Sequence, residues 1–234
     1  MRSAKIIATK SFTSNINFPT CIARTKHTDG SESEKYHMFG ILKDRVLNKV
    51  GDKTADLGRQ NGFQLFGLEE KYKIDKLKLQ REMRKLQKIT HPDKFARGRT
   101  IDERIASDLS ALVNHFYHVL GNPYERGKYL LSLMAGKSLD QIEKELEAVA
   151  LDEQFLNRMM ELRELIESTH YGGGRELMRI RDELERELTK LADEVGDDFE
   201  TKDFESIREK LGRLKFLCNC HQACVDRTAQ YDSF

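Results

Sequence analysis

Tryptophan is absent from this 234-residue chain, proline occurs three times and cysteine four times. The cysteines are Cys21, Cys218, Cys220 and Cys224. One near the start and three near the end do not make a disulfide framework, which places the protein in a reducing compartment. No apolar run approaches the roughly 18 residues of a membrane span, so no membrane helix is expected. Net charge is also nearly missing, with 40 Lys+Arg against 39 Asp+Glu and a formal value of +1. That balance argues against a dedicated nucleic-acid binder, which carries a basic excess. The motifs of an enzyme are lacking too. There is no glycine-rich phosphate loop, no metal-ligand helix and no nucleophile elbow.

What is present is charge and aliphatic mass. Charged residues make up 34% and hydrophobic ones 38%, with Glu, Lys, Leu and Arg abundant and proline scarce. This is the composition of a helical protein long enough to bury a real core. The charge is unevenly spread. Residues 1–28 hold Arg2, Lys5, Lys10, Arg24 and Lys26, eight Ser/Thr and no acid, the signature of a mitochondrial transit peptide; a plain unstructured tail is the competing reading. Residues 29–60 read as a variable linker with one amphipathic piece around Met38–Val50.

Helical periodicity begins near Asn61. Asp75 is an N-cap candidate, and Leu79, Met83, Leu86 and Thr90 follow at helical spacing. Pro92 should stop this helix at His91. A second helix is expected over roughly 102–120 and a third over about 124–135. Three more follow near 152–168, 176–195 and 202–228, with Gly172-Gly173-Gly174 and Gly196-Asp197-Asp198 as breakers. Such short connections favour an antiparallel three-helix bundle. No alternating strand pattern occurs, so the fold class is all-α.

On a helical wheel over 76–90, the apolar residues gather on one side, opposite Lys78, Arg81, Arg84, Lys85 and Lys88. Counting from Asp75, six bases face two acids. This basic amphipathic helix runs into His91-Pro92-Asp93, and a second apolar helix starts about ten residues later. The combination resembles a J-domain, the module that works with DnaK-type heat-shock chaperones. The resemblance implies that His91, Pro92 and Asp93 trigger the chaperone's ATPase, with Arg81, Arg84, Lys85 and Lys88 docking it electrostatically. Pro92 stiffens the loop, and Asp93 offers an acceptor to an Arg fork. Nothing beside His91 points to catalysis within this chain.

Asn61-Gly62-Phe63-Gln64-Leu65-Phe66-Gly67-Leu68, Ala111-Leu112-Val113-Asn114 and Pro123-Tyr124-Glu125-Arg126-Gly127-Lys128-Tyr129-Leu130-Leu131 are similar to the HscB/Jac branch of J-proteins. So are Asp152-Glu153-Gln154-Phe155-Leu156, Met160-Glu161-Leu162-Arg163-Glu164 and Lys215-Phe216-Leu217. The resemblance covers roughly 61–228 and implies a J-domain helical hairpin at 61–136 followed by a three-helix bundle at 137–230. It further implies an IscU-type iron–sulfur scaffold protein as client, bound through Leu156, Met160, Glu161, Glu164, Lys215 and Phe216. Two positions depart from the branch. An aromatic residue is usual where Gly62 stands, and a small one where Phe116 stands, which is expected to weaken the opening helix and force local repacking.

The wheel supports such a surface on its own terms. Phe155, Met159, Leu162 and Ile166 form a core stripe, while Leu156 and Met160 lie about 100–140° from Phe155. On the last helix Phe204, Ile207, Leu211, Leu214, Cys218 and Val225 form the expected core stripe, with Phe216 about 120° from Phe204. Cys218, Cys220, His221 and Cys224 cluster in sequence, but one helix cannot aim all four at a metal, since Cys218 and Cys220 lie about 160° apart. The expectation is therefore a co-chaperone of the mitochondrial matrix with no cofactor and no metal of its own. Its partners are a DnaK-type chaperone and an IscU-type scaffold; nucleic acid and membrane are excluded, and weak self-association is admitted. A J-protein serving a different client, and a helical metal-binding protein using the C-terminal cysteines, stay open as alternatives.

Overall fold

Side-chain caps set most of the helix starts. Asn61 Oδ1 accepts from Phe63 N and opens α1 (Gly62–Leu65). Asp75 Oδ1 accepts from Lys78 N at 2.9 Å and opens α2 (Lys76–Thr90). After α3 (Thr100–Gly121), Asn122 takes both Tyr124 N and Glu125 N, and Pro123 occupies the first position of α4 (Pro123–Ala135). Each replaces a partner that a free helix end lacks. Ser138 and Gln141 form a reciprocal capping box on α5 (Leu139–Glu147). Asp152 caps α6 (Glu153–Ser168), and two 28-residue helices, α7 (Gly174–Thr201) and α8 (Phe204–Tyr231), complete the chain. This computed structural model describes residues 61–90, 100–169 and 173–231, all of them helix or short connection. The fold is all-α, and residues from Asn61 onward cluster as one unit.

α2 packs along α3 and α1 against α3, burying Leu79, Met83 and Leu86 with Leu109, Val113 and Phe116. α8 is the hub. It packs on α4 and α5 in one direction and on α6 and α7 in the other. Met159, Ile166, Leu177, Leu184, Leu217, Cys220 and Cys224 form the core of the α6–α8 bundle, each aliphatic side chain contributing about 1.5–3 kcal/mol on burial.

The hairpin and the bundle meet through an aromatic and a guanidinium. Tyr72 stacks on Phe199 of α7 with centroids 5.1 Å apart, and Arg126 lies 4.7 Å from the Tyr72 ring centre. Arg126 Nη1 donates to Leu120 O at 2.6 Å, so a side chain only 4% exposed finds the electronegative end of α3 and a π face. At Gly127 a Cβ would lie 2.4 Å from Leu211 Cδ2, so only glycine lets α4 and α8 approach this closely.

Three sequence expectations are corrected. Gly196-Asp197-Asp198 does not break a helix, because α7 runs through it to Thr201. The aliphatic stem of the partly exposed Lys73 lies over Gly196, with Cε 2.5 Å from where a Cβ would stand. The real break is at Lys202, in the left-handed region at φ 60°. Second, Ser138-x-x-Gln141 opens a helix, α5, that the apolar pattern did not announce. Third, the core stripe of α8 is not straight. Phe204 and Val225 are exposed and Cys218 is half-buried, whereas Leu217, Cys220 and Cys224 are buried. Ile207, Leu211 and Leu214 serve the neighbours of the first half, and the stripe turns by about 100° to serve α6 and α7 in the second.

Candidate partner-binding surfaces

On α2 the buried face is the expected one, Leu79, Met83, Leu86 and Thr90. Thr90 returns its hydroxyl to Leu86 O at 3.0 Å, which removes the cost of burying it. Arg81, Arg84, Lys85 and Lys88 all lie on the exposed side. Lys85 pairs with Glu82 at 2.7 Å, and Arg81 lies 3.9 Å from Asp75. Exposed pairs of this kind hold their partners weakly, so the face keeps a net positive field able to steer an acidic surface. His91, Pro92 and Asp93 lie outside the described residues.

The second surface is on the bundle. Met160 is 64% exposed and Phe216 is 38% exposed, while Leu156 is half-buried. Glu161 and Glu164 are exposed beside them on α6. Phe155, expected in the core, is only half-buried, and its ring meets Phe216 edge-on at 6.2 Å and 88°. This contact joins α6 to α8 at the protein surface. The wheel missed it because it placed each helix separately and could not register one against the other. Lys215 faces away from the pair, toward α5, where Nζ lies 3.2 Å from Glu147 and 3.7 Å from Glu143. Its charge is balanced there, and it also lies 5.9 Å from the Tyr124 ring centre.

The C-terminal thiols do not converge. Cys218 turns toward Asn122 on the α4 side, and Cys220 and Cys224 point into the bundle core. Burial pushes the Cys218 and Cys224 thiols up to about 11 and raises Cys220 as well, which makes them poor nucleophiles and poor metal ligands at neutral pH. Among the described residues no three His, Cys, Asp or Glu side chains group around a metal position.

A basic helix face and an exposed apolar contact between two helices of a bundle define a class, the helical binding protein. Comparison with known proteins narrows it. The sequence profile of the HSCB C-terminal oligomerisation domain matches residues 151–225. A co-chaperone protein HscB homolog of Colwellia psychrerythraea is 34% identical over 134 residues, 56% of this chain and 74% of that protein. One from Pseudoalteromonas atlantica is 33% identical over 162 residues, 67% of this chain and 90% of its own length. The human iron-sulfur cluster co-chaperone protein HscB is 30% identical over 161 residues, 68% of this chain and 65% of that protein. Among solved structures, human co-chaperone protein HscB matches with a TM-score of 0.58 at 27% identity, covering 71% of this chain and 84% of that one. The chain belongs to the HscB family of co-chaperones.

Proposed function

We propose that this protein is a mitochondrial J-type co-chaperone of iron–sulfur cluster assembly and transfer. Residues 61–136 recruit a DnaK-type heat-shock chaperone and stimulate its ATPase. Residues 137–230 hold an IscU-type scaffold protein and deliver it to that chaperone. Family membership supports the class, and the human relative's name supports the iron–sulfur setting. The observation that carries the client half is the exposed Phe216 set against Phe155 where α6 meets α8, with Met160 exposed on α6. For the chaperone half, the support is the exposed basic face of α2 leading into His91-Pro92-Asp93. Matrix residence rests on the acid-free leader at 1–28, since bacterial and mammalian relatives match alike.

In this reading the chain makes and breaks no bonds. The α2 bases draw in an acidic face of the ATPase, raising the encounter rate more than the final affinity. Asp93 supplies a carboxylate acceptor for a donor of the chaperone. Phe216 and Met160 supply the buried anchor for the scaffold, and Glu161 and Glu164 form an acidic rim.

Titration calorimetry with purified IscU-type scaffold tests the client half. Replacing Leu156, Met160 and Phe216 together with alanine is expected to weaken binding by about tenfold or more. The helical spectrum persists, because two of the three side chains are exposed. Unchanged affinity overturns the assignment.

A further inference from the structure

Phe216 stands on the exposed side of α8, yet its ring is not left to choose its own orientation. Phe155 of α6 meets it edge-on at 6.2 Å. Arg213, one turn before Phe216 on α8, sets its guanidinium carbon over the same Phe155 ring, 5.5 Å from its centre. Glu209 Oε1 accepts from Arg213 Nη2 at 3.0 Å in a solvent-exposed i,i+4 pair that holds the guanidinium only weakly. The series carboxylate, guanidinium, aromatic ring, aromatic ring thus runs along the partly exposed seam between α6 and α8. Arg213 Nε is buried and meets no protein acceptor, so this side chain is not placed to complete its own hydrogen bonds. Its placement satisfies the Phe155 ring instead. Lys215, the nearer basic residue in sequence, faces Glu143 and Glu147 and takes no part.

We infer that Arg213 is a positioning residue for the partner-binding surface: its cation holds the Phe155 ring, and Phe155 fixes the ring of Phe216 ready for contact. An aromatic ordered before binding has less rotamer freedom to lose when the partner arrives. A cation over a ring acts through the ring's quadrupole, so the effect depends on charge and is shared by lysine but not by glutamine. This inference rests on the reading of Phe216 as an anchor for an IscU-type scaffold.

The chain contains no tryptophan, so Phe216→Trp places a single indole at the position in question. In full-length protein carrying Phe216→Trp, Arg213→Gln is expected to raise acrylamide quenching of that indole about twofold and to lower its anisotropy, with Arg213→Lys restoring most of both. In protein with Phe216 intact, Arg213→Gln is expected to weaken scaffold binding by calorimetry roughly two- to fivefold, and Arg213→Lys to recover it. An indole equally ordered with Arg213 or glutamine overturns the inference, as does a lysine variant as impaired as the glutamine one. If unsubstituted protein binds no scaffold, the proposed function fails, while the indole measurement still decides the role of Arg213.

Discussion

A Cβ placed on Gly62 would stand 2.4 Å from Cδ1 of Phe116, and the Phe116 ring in turn lies 5.7 Å from that of Tyr129. Tyr129 stacks on Phe63 at 5.9 Å and accepts the Gly62 N–H at 2.8 Å through its hydroxyl. Gly62 and Phe116, the two positions singled out in the sequence, are thus packed against each other. The space left at 62 is filled by the ring of Phe116, which packs α1 together with its own Phe63. Sequence spacing does not reveal this, because 54 positions separate the two residues and nothing local couples them. Gly62→Ala alone is expected to cost about 1–3 kcal/mol, the range for overpacking a filled site. Adding Phe116→Leu should return part of that loss, so that the double variant is more stable than the single effects sum to. Urea unfolding of the four proteins checks it, and strict additivity contradicts it.

Helix positions were legible wherever one helix buries one face against one neighbour. The α2 stripe is correct residue for residue, because α3 is the neighbour it chiefly packs against. The α8 stripe was misjudged in its second half because two sets of neighbours claim different faces, and a single period cannot describe both. At Gly196 the sequence signal was ambiguous, since a glycine covered by the stem of Lys73 looks the same as one that ends a helix. The true α7–α8 turn is held by Asp198. Its carboxylate accepts from Lys210 Nζ at 2.8 Å and from Ser206 Oγ at 2.7 Å. Burial alone would raise this carboxyl, but the hydrogen bonds from Lys210 and Ser206 outweigh it and hold it below the ordinary carboxylate value. A group depressed in the folded state adds stability that is present above its unfolded pKa, about 3.9, and is lost as pH falls through the folded value. Asp198→Asn should therefore lower stability by about 1–2 kcal/mol at pH 7 and flatten the decline below about pH 4. Denaturant midpoints measured from pH 3 to 7 check this; parallel curves for the two proteins contradict it.

Over the whole molecule, a net charge of +1 conceals an uneven distribution of charge. Residues 1–28 carry five bases and no acid, residues 75–90 six bases against two acids, and residues 140–168 nine acids against three bases. That distribution was readable from the sequence, as were the basic face of α2 and the outward set of Met160 and Phe216. The Phe155–Phe216 contact and the Arg213 stack were not, because they exist only once α6 and α8 are brought side by side. The central claim is that the basic and apolar surfaces serve one act, with the bundle bringing a client to the chaperone that the hairpin activates. Single-turnover ATP hydrolysis by a mitochondrial DnaK-type chaperone tests it most directly, measured with this protein, with an IscU-type scaffold, and with both. The account predicts stimulation by both together that exceeds the product of the separate effects. Asp93→Asn should abolish it, and alanine at Leu156, Met160 and Phe216 should reduce it to the level without scaffold. Stimulation by both that merely equals the separate effects, or that survives Asp93→Asn, would contradict the account.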